Sequence, residues 1–330
     1  MIAHDDPRPL VSIVLPVYNE EQVLTDLVAR LDAVTRDLVA EYRFELVFVD
    51  DGSTDGTIRA LERLQERDGR LRIVRLRRNY GQTAALQAGF DSVAGELVIS
   101  MDADLQHFPE DVPRFLAKLR EGYDVVCGWR RDRQEGIRRR WPSRAANWLL
   151  RKVTRLSIHD IGTTFRAYRT DLLRDVRLLG ENHRFVPVFA RQAGARIAEV
   201  EIQNVARAVG ASNYGLGRTF NVLLDIIFLV FYVRYLDRPI RFFGKIGLAI
   251  LAVAVVITLG LVWAFVGLGI PVVRDHTGWF ILALVLYLGG LQSIFVGVLA
   301  ELLVRLYFEP TRRAPYYVRR EALDDAAALQ

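Results

Sequence analysis

Two long stretches without a charged residue dominate the carboxyl-terminal third of this chain. They run from Ile246 to Ile270 and from Thr277 to Ala300, and only a short loop separates them. At about 1.5 Å of rise per residue, either stretch can cross a hydrocarbon layer of about 30 Å as a helix. A buried core helix is the alternative, but uncharged runs of this length are rare in soluble folds. We therefore expect a hairpin of two transmembrane helices, at about 244–270 and 277–303.

The charges that flank these runs predict their orientation. The connecting loop contains only Arg274 beside Asp275, whereas basic residues gather before the first run and after the second. Because positive flanks stay in the cytoplasm, we expect the amino-terminal part and both termini on that side. The first ten residues lack the apolar core of a signal peptide, which agrees with a cytoplasmic amino-terminal part. The flanking basic residues are Arg234, Arg238, Arg241, Lys245, Arg305, Arg312, Arg313, Arg319 and Arg320.

Residues 1–215 have the pattern of an α/β domain. Runs rich in β-branched and aliphatic residues alternate with helical stretches, which predicts a Rossmann-like, mostly parallel sheet. The remaining chain divides into 216–241, 242–304 and 305–330. We expect interfacial amphipathic helices in the first of these, the two spans in the second and a cytoplasmic tail in the third. A third span before the hairpin is the alternative. The predicted strands begin at Val11, Glu45, Leu71, Glu96 and Asp124.

The run from Asp102 to Gln106 delivers acidic side chains to the end of a predicted strand. Asp102 and Asp104 follow the apolar segment Glu96–Met101, and open α/β sheets bind ligands at the carboxyl ends of their strands. Two carboxylates and an amide oxygen suit Mg²⁺ or Mn²⁺ held together with substrate phosphates. An acidic turn that caps the next helix is the alternative.

Two further turns end at the same predicted edge of the sheet, Leu15–Glu20 and Val49–Thr57. In the second turn, tight backbone geometry and helix capping account for Gly52 and Ser53. They do not account for the adjacent carboxylates of Asp50 and Asp51 after an apolar strand. Such a carboxylate can accept hydrogen bonds from a nucleobase N–H or a ribose hydroxyl.

A basic stretch from Arg130 to Arg155 follows the predicted sheet. It contains ten basic residues, nine arginines and Lys152, but only two acidic residues, Asp132 and Glu135. A solvated charged surface and a nucleic-acid site are the alternatives. Because the stretch lies between the sheet and the apolar runs, we expect a lipid phosphate as its partner and no nucleic acid. The guanidinium fork of arginine suits phosphate oxygens.

The three turns, together with the run from Arg78 to Gln82, resemble family 2 glycosyltransferases with a GT-A fold. They are most similar to the polyprenyl-phosphate glycosyltransferases, the group of dolichyl-phosphate mannose synthase and the bactoprenol glucosyltransferases. The resemblance covers essentially the whole chain. It implies inverting, metal-dependent transfer of a hexose from a UDP- or GDP-sugar to a polyprenyl phosphate. The enzyme would work at the cytoplasmic face of a bacterial-type inner membrane, in cell-envelope glycosylation, and family members can form homo-oligomers.

The resemblance also implies roles for single residues. Asp104 and Gln106 would hold the metal, and Asp102, Asp104 and Asp160 would form the catalytic group. Arg130, Arg139 and Ser143 would contact the acceptor phosphate. The donor would be bound by Pro16, Tyr18, Glu20, Asp50, Asp51, Asn79, Gly81 and Asp102.

The role of Asp160 stays open between a general base and a residue that orients an arginine or the acceptor. A phosphate monoester, with a second pKa of about 6, is largely dianionic at pH 7 and needs no strong base. His159 and His183 have no partner that the sequence identifies, and we expect both to be structural.

Two other functions are compatible with parts of this sequence. A processive polysaccharide synthase would carry a Gln-x-x-Arg-Trp motif. Arg140 and Trp141 are present here, but Ile137 stands in the place of the glutamine. A non-catalytic membrane protein that binds a nucleotide sugar is the second alternative.

Overall fold

The computed structural model describes residues 6–131, 158–175, 178, 182–203, 231, 234–235, 238–271 and 276–308. These residues fall into two compact units, which divide between Tyr214 and Gly215. In the first unit the strands are β1 (Leu10–Val17), β2 (Arg43–Asp50), β3 (Leu71–Arg75), β4 (Leu97–Ser100), β5 (Val125–Trp129), β6 (Arg166–Arg169) and β7 (Ile197–Glu201). Its helices are α1 (Leu24–Asp37), α2 (Thr57–Gln65), α3 (Gln82–Ser92), α4 (Val112–Arg120), α5 (Thr170–Asp175) and α6 (Val186–Gln192), with 3₁₀ turns at Pro109–Asp111 and Asn182–Phe185.

The seven strands form one sheet in the order β3-β2-β1-β4-β6-β5-β7. Only β6 runs antiparallel to its neighbours β4 and β5, while the other pairs are parallel. The predicted mostly parallel sheet is therefore confirmed, with the five expected strands in place. Sequence patterning missed β6 and β7, which are short and carry charged residues at one or both ends.

The central strands are apolar because helices cover both of their faces. Every residue of β1 except Pro16 is buried. The helix α1 contributes Leu24, Leu27 and Leu31, which follow helical spacing and are fully buried against the sheet. This packing leaves the strand ends as the polar part of the domain. Because β1, β2, β3 and β4 are parallel, the segments that follow them meet at one edge.

The second unit contains two long apolar helices, α7 (Ile240–Leu268) and α8 (Thr277–Phe308). Both are long and apolar enough to cross a membrane. Of the most apolar 18-residue segment of each helix, 6% is buried within the protein in α7 and 17% in α8. Gly269, in a left-handed conformation, ends α7 just before the predicted loop. The two candidate spans thus lie where the uncharged runs predict them. The orientation of this pair stays a prediction, and most of 216–241 lies outside the described residues.

Small residues let the two helices approach closely. A Cβ atom added to Gly290 would lie 2.7 Å from Cγ of Leu251 and 3.0 Å from the carbonyl oxygen of Gly247. Close by, the hydroxyl of Ser293 donates to the carbonyl oxygen of Phe243 across the same interface, at 2.9 Å. Close packing and interhelical hydrogen bonds stabilise helix pairs in lipid, because the hydrophobic effect does not drive helices together there.

We predict that Gly290→Ala destabilises the helix pair by about 1–3 kcal/mol, because the added methyl group has no space against Leu251 and Gly247. Gly289→Ala is the matched control, since a Cβ at Gly289 meets nothing within 4 Å. The measurement is the thermal midpoint in detergent. Equal midpoints for the two variants would contradict the packing described here.

Candidate active site

Hydrogen bonds join the turn after β1 to the turn after β2. The backbone N–H of Asn19 donates to Oγ of Ser53 at 3.0 Å, and the N–H of Thr54 donates to Oδ1 of Asn19 at 2.8 Å. Asn19 is left-handed, with φ 56°, a conformation that asparagine tolerates better than most residues. The carboxylate of Glu21 accepts from the N–H of Gly56 at 3.1 Å. The two turns therefore form one rigid surface.

The predicted donor residues of the first turn sit on this surface in different environments. Pro16 is half-buried and pairs with Val49 in the sheet. Tyr18 is 44% exposed, so this aromatic residue is accessible at the surface. The N–H of Glu20 donates to Oγ1 of Thr57 at 2.9 Å, so the backbone of Glu20 is fixed by the start of α2.

The adjacent carboxylates Asp50 and Asp51 have different surroundings. Asp51 accepts from the N–H of Tyr80 at 2.7 Å and from the N–H of Gly81 at 2.8 Å. Asp50 uses only Oδ1, which accepts from the N–H of Ser53 at 3.0 Å. Its Oδ2 is buried and has no hydrogen-bond partner among the described residues. Asp51 thus supports the turn after β3, and Asp50 has one buried oxygen that faces Nε of Arg75 at 3.9 Å.

The turn after β3 packs directly on the turn after β2. A Cβ at Gly52, whose φ is 70°, would lie 2.5 Å from the carbonyl carbon of Arg78. Asn79 is exposed, and Gly81 has φ 90° at the start of α3. The guanidinium of Arg78 lies 4.7 Å from the ring centre of Tyr80. Only glycine fits between the two turns at residue 52, so their spacing depends on it.

Asp102 joins the strand β4 to two other parts of the domain. Its Oδ1 accepts from Nε2 of Gln82 at 2.6 Å, and its Oδ2 accepts from Oγ1 of Thr164 at 2.6 Å. Gln82 begins α3, and Thr164 precedes β6. Sequence reasoning gave neither residue a role, because each contact spans at least 20 positions and only the fold brings the partners together. Asp102 therefore connects the predicted donor side to the segment that carries Asp160.

Asp104 and Gln106 flank a strained residue. Leu105 has φ 57°, which costs a residue with a side chain about 1–2 kcal/mol. Oδ1 of Asp104 accepts from the N–H of Gln106 at 3.1 Å, and both residues are half-buried. Among the described residues, no three His, Cys, Asp or Glu side chains form a group that could hold a metal. The oxygen donors here suit a hard cation that takes its remaining ligands from substrate phosphates.

His107 lies beneath this run and was not singled out from the sequence. It is buried, its Nδ1 lies 4.0 Å from Oδ2 of Asp102, and its ring is 5.5 Å from that of Phe165. Burial, together with the nearby charge of Arg130, lowers the pKa of His107 to about 4. The imidazole is therefore neutral at physiological pH and fills the space behind the run from Asp102 to Gln106.

Arg130 and Asp160 form a two-pronged ion pair. Nε of Arg130 lies 2.7 Å from Oδ2 of Asp160, and Nη2 lies 3.1 Å from Oδ1. The N–H of Gly162 also donates to Oδ1, at 3.1 Å. The other predicted acceptor-phosphate residues, Arg139 and Ser143, lie outside the described residues. The arrangement shows Asp160 occupied in holding Arg130.

Both histidines that the sequence left without a partner have one. Nδ1 of His183 lies 2.7 Å from Oγ1 of Thr83 in a buried contact. Nδ1 of His159 lies 2.8 Å from Oε2 of Glu199. The carboxylate of Glu199 was also missed, since nothing in the sequence distinguishes it from a surface charge.

A family model described as glycosyl transferase family 2 matches residues 12–177. The chain belongs to this family. It is 39% identical over 323 residues to the dodecaprenyl-phosphate galacturonate synthase of Rhizobium johnstonii, covering 96% of this chain and 93% of that protein. It is 35% identical over 334 residues to the undecaprenyl-phosphate 4-deoxy-4-formamido-L-arabinose transferase of Pseudomonas aeruginosa, covering 98% and 93%. The chain is therefore a glycosyltransferase, and the predicted resemblance to enzymes of polyprenyl phosphates is confirmed.

The solved structures give the same fold. The glucosyl-3-phosphoglycerate synthase of Mycobacterium tuberculosis, in complex with Mn²⁺, uridine diphosphate and phosphoglyceric acid, superposes with a TM-score of 0.51. The match covers 68% of this chain and 78% of that one at 22% identity. A likeness at this identity shows the fold alone, and it confirms the predicted GT-A domain.

We predict that Gly52→Ala slows sugar transfer at least about tenfold, because the methyl group pushes the turn at Arg78 away and a left-handed alanine is strained. Gly69→Ala is the control, since a Cβ there meets nothing within 4 Å. The measurement is the initial rate, with the thermal midpoint recorded for each variant. A Gly52→Ala enzyme with the wild-type rate would show that the spacing of these turns has no role in activity.

Proposed function

We propose that this glycosyltransferase moves a sugar from a nucleotide sugar to a polyprenyl phosphate at the cytoplasmic face of the membrane. The observation that carries the proposal is the linked set of turns at one edge of the sheet. There Asp50, Asp102 and Asp104 would face the donor, while Arg130 pairs with Asp160, on the segment whose Thr164 donates to Asp102. The almost full-length similarity to enzymes named for polyprenyl phosphates supports this acceptor.

Oδ2 of Asp50, which has no hydrogen-bond partner among the described residues, supports a uridine nucleotide over a guanosine nucleotide. Uracil offers one N–H donor flanked by carbonyl oxygens, so it needs one acceptor with a hydrogen-bond donor beside it. Asp50 offers Oδ2, and Nε of Arg75 lies 3.9 Å from that atom. Guanine offers two neighbouring donors, and the second would have to share Oδ1 with the N–H of Ser53. We therefore propose a UDP-sugar as donor.

Asp104 and Gln106 would hold a Mg²⁺ or Mn²⁺ ion, with the diphosphate completing its ligands. When bound, such an ion supplies Lewis-acid stabilisation of the charge that develops on the departing nucleotide. The strained backbone at Leu105 supports this assignment, because strain of this kind persists where the surrounding structure fixes a functional geometry. Asp102, held from both sides, would orient the donor sugar.

The acceptor phosphate would be held by Arg130. Two of the five N–H groups of its guanidinium point to Asp160, and in the described part of the chain the other three have no protein acceptor. A phosphate oxygen then attacks the anomeric carbon, and the bond from that carbon to the nucleoside diphosphate breaks with inversion. Since the phosphate is largely dianionic, no base need remove a proton. Asp160 would therefore orient Arg130.

The two apolar helices would anchor the domain where a polyprenyl phosphate presents its head group. The basic flanks of these helices support a cytoplasmic site and cytoplasmic termini. A processive synthase is less well supported, because the described residues contain two candidate spans and such an enzyme must also pass a polymer through the membrane. We propose a homo-oligomer on the family resemblance alone.

We predict that UDP binds at least about tenfold more tightly than GDP in the presence of Mn²⁺, since guanine would have to share Oδ1 of Asp50 with the N–H of Ser53. Asp50→Asn should weaken UDP binding by a similar factor. Either orientation of the new amide places its NH₂ group against an N–H group, that of Ser53 or that of the base. Isothermal titration measures both affinities. Equal binding of UDP and GDP would contradict the assignment of the base.

We predict that Asp104→Asn lowers the transfer rate by about 100-fold, because it removes a charged ligand of the metal. Excess Mn²⁺ should restore part of the rate. Asp171→Asn is the control, since Asp171 is an exposed carboxylate in the first turn of α5. The measurement is the initial rate of transfer to undecaprenyl phosphate across a Mn²⁺ titration. A rate for Asp104→Asn that matches the control would exclude Asp104 as a ligand.

A further inference from the structure

Glu199 occupies the middle of β7, next to Cys127 of β5 in the sheet. Its side chain is 13% exposed, and both oxygens are engaged by the segment that carries Asp160. Oε1 accepts from the N–H of His159 at 2.6 Å and from the N–H of Asp160 at 3.2 Å. Oε2 lies 2.8 Å from Nδ1 of His159. Burying a carboxylate to this extent costs folding free energy unless hydrogen bonds compensate, and these three contacts supply that compensation.

These contacts fix the backbone on which the Asp160 carboxylate is mounted. The Asp160 side chain is 5% exposed and receives Arg130 and the N–H of Gly162. Its orientation is therefore determined from two directions, by Glu199 through the backbone and by Gly162 through the side chain. Since Asp160 grips Arg130 at two nitrogens, any shift of Asp160 moves the guanidinium as well.

A stacked aromatic pair supports the same arrangement from the strand β5, which ends at Trp129. The rings of Trp129 and His159 lie 4.4 Å apart and are inclined by 19°. Trp129 directly precedes Arg130, and His159 directly precedes Asp160. Trp129 therefore contacts His159 while Arg130 contacts Asp160. Glu199 accepts hydrogen bonds from the backbone of both His159 and Asp160.

We propose that Glu199 is a positioning residue for the acceptor phosphate, acting through Asp160 on the guanidinium of Arg130. This inference rests on the proposed function, in which Arg130 binds that phosphate. Arginine recognises phosphate by geometry as well as by charge, because its N–H groups point in fixed directions. A guanidinium held by a fixed carboxylate meets the phosphate with little rearrangement, which is how preorganised groups gain affinity.

The test compares binding of two probes to the full-length protein in detergent micelles. Glu199→Ala should raise the Kd of undecaprenyl phosphate by about tenfold, since one oriented charged contact is lost, and leave the Kd of UDP with Mn²⁺ unchanged. Glu199→Gln should restore most of the affinity, because its carbonyl oxygen can still accept from the N–H groups of His159 and Asp160. Glu201→Ala is the matched control, on the same strand but exposed and paired with exposed Arg131.

Hydrogen exchange of the peptide 158–164 supplies a readout that needs no ligand. The amides of His159 and Asp160 should exchange faster in Glu199→Ala than in the wild type and in Glu201→Ala, as expected for protected amides that lose their acceptor. Equal exchange in the three proteins would overturn the proposed clamp. An unchanged Kd for undecaprenyl phosphate in Glu199→Ala, or an equal loss in Glu201→Ala, would overturn the positioning role.

Undecaprenol, which lacks the phosphate, separates this inference from the proposed function. If the wild type binds undecaprenyl phosphate no better than undecaprenol, the acceptor itself is misassigned, and the function fails together with the inference. If the wild type prefers the phosphate but Glu199→Ala keeps that preference in full, only the role of Glu199 fails.

Discussion

The twin hydrogen bonds of Asp102 are the constraint on which the rest of the site depends. A single carboxylate at the end of β4 accepts from Gln82, which begins α3, and from Thr164, which precedes β6. The antiparallel course of β6 makes this possible, because the segment before β6 then lies at the carboxyl end of β4. The turns at this edge of the sheet and the Arg130–Asp160 pair are thereby connected through one side chain. Charge-assisted hydrogen bonds of this length are among the stronger ones in proteins.

The carboxylates at this edge of the sheet differ in how many of their oxygens accept hydrogen bonds. Both oxygens of Asp51 and of Glu199 form hydrogen bonds with backbone N–H groups or a neighbouring imidazole ring. These two residues therefore fix the segments that they contact. Asp50 keeps one buried oxygen without a hydrogen-bond partner in the described part of the chain. The supporting carboxylates therefore hold these turns through contacts within the protein itself.

Much of this arrangement follows from the sequence. The parallel strands and the convergence of their turns follow from alternating apolar runs, and the two apolar helices follow from their lack of charge. The strands β6 and β7 were missed because four or five residues with charges such as Arg166 and Glu199 give no clear alternation. Sequence also cannot separate Asp50 from Asp51, which are chemically identical neighbours. The two differ only in the fold, where the backbone of Tyr80 and Gly81 donates to Asp51 and not to Asp50.

The identity of the bond that breaks tests the central claim most directly. The products of a single turnover with a UDP-sugar and undecaprenyl phosphate can be identified by mass spectrometry, and the anomeric configuration by NMR. We expect free UDP and an undecaprenyl monophosphate that carries the sugar with inverted configuration. Release of UMP with a lipid diphosphate, or a sugar with retained configuration, would contradict that claim.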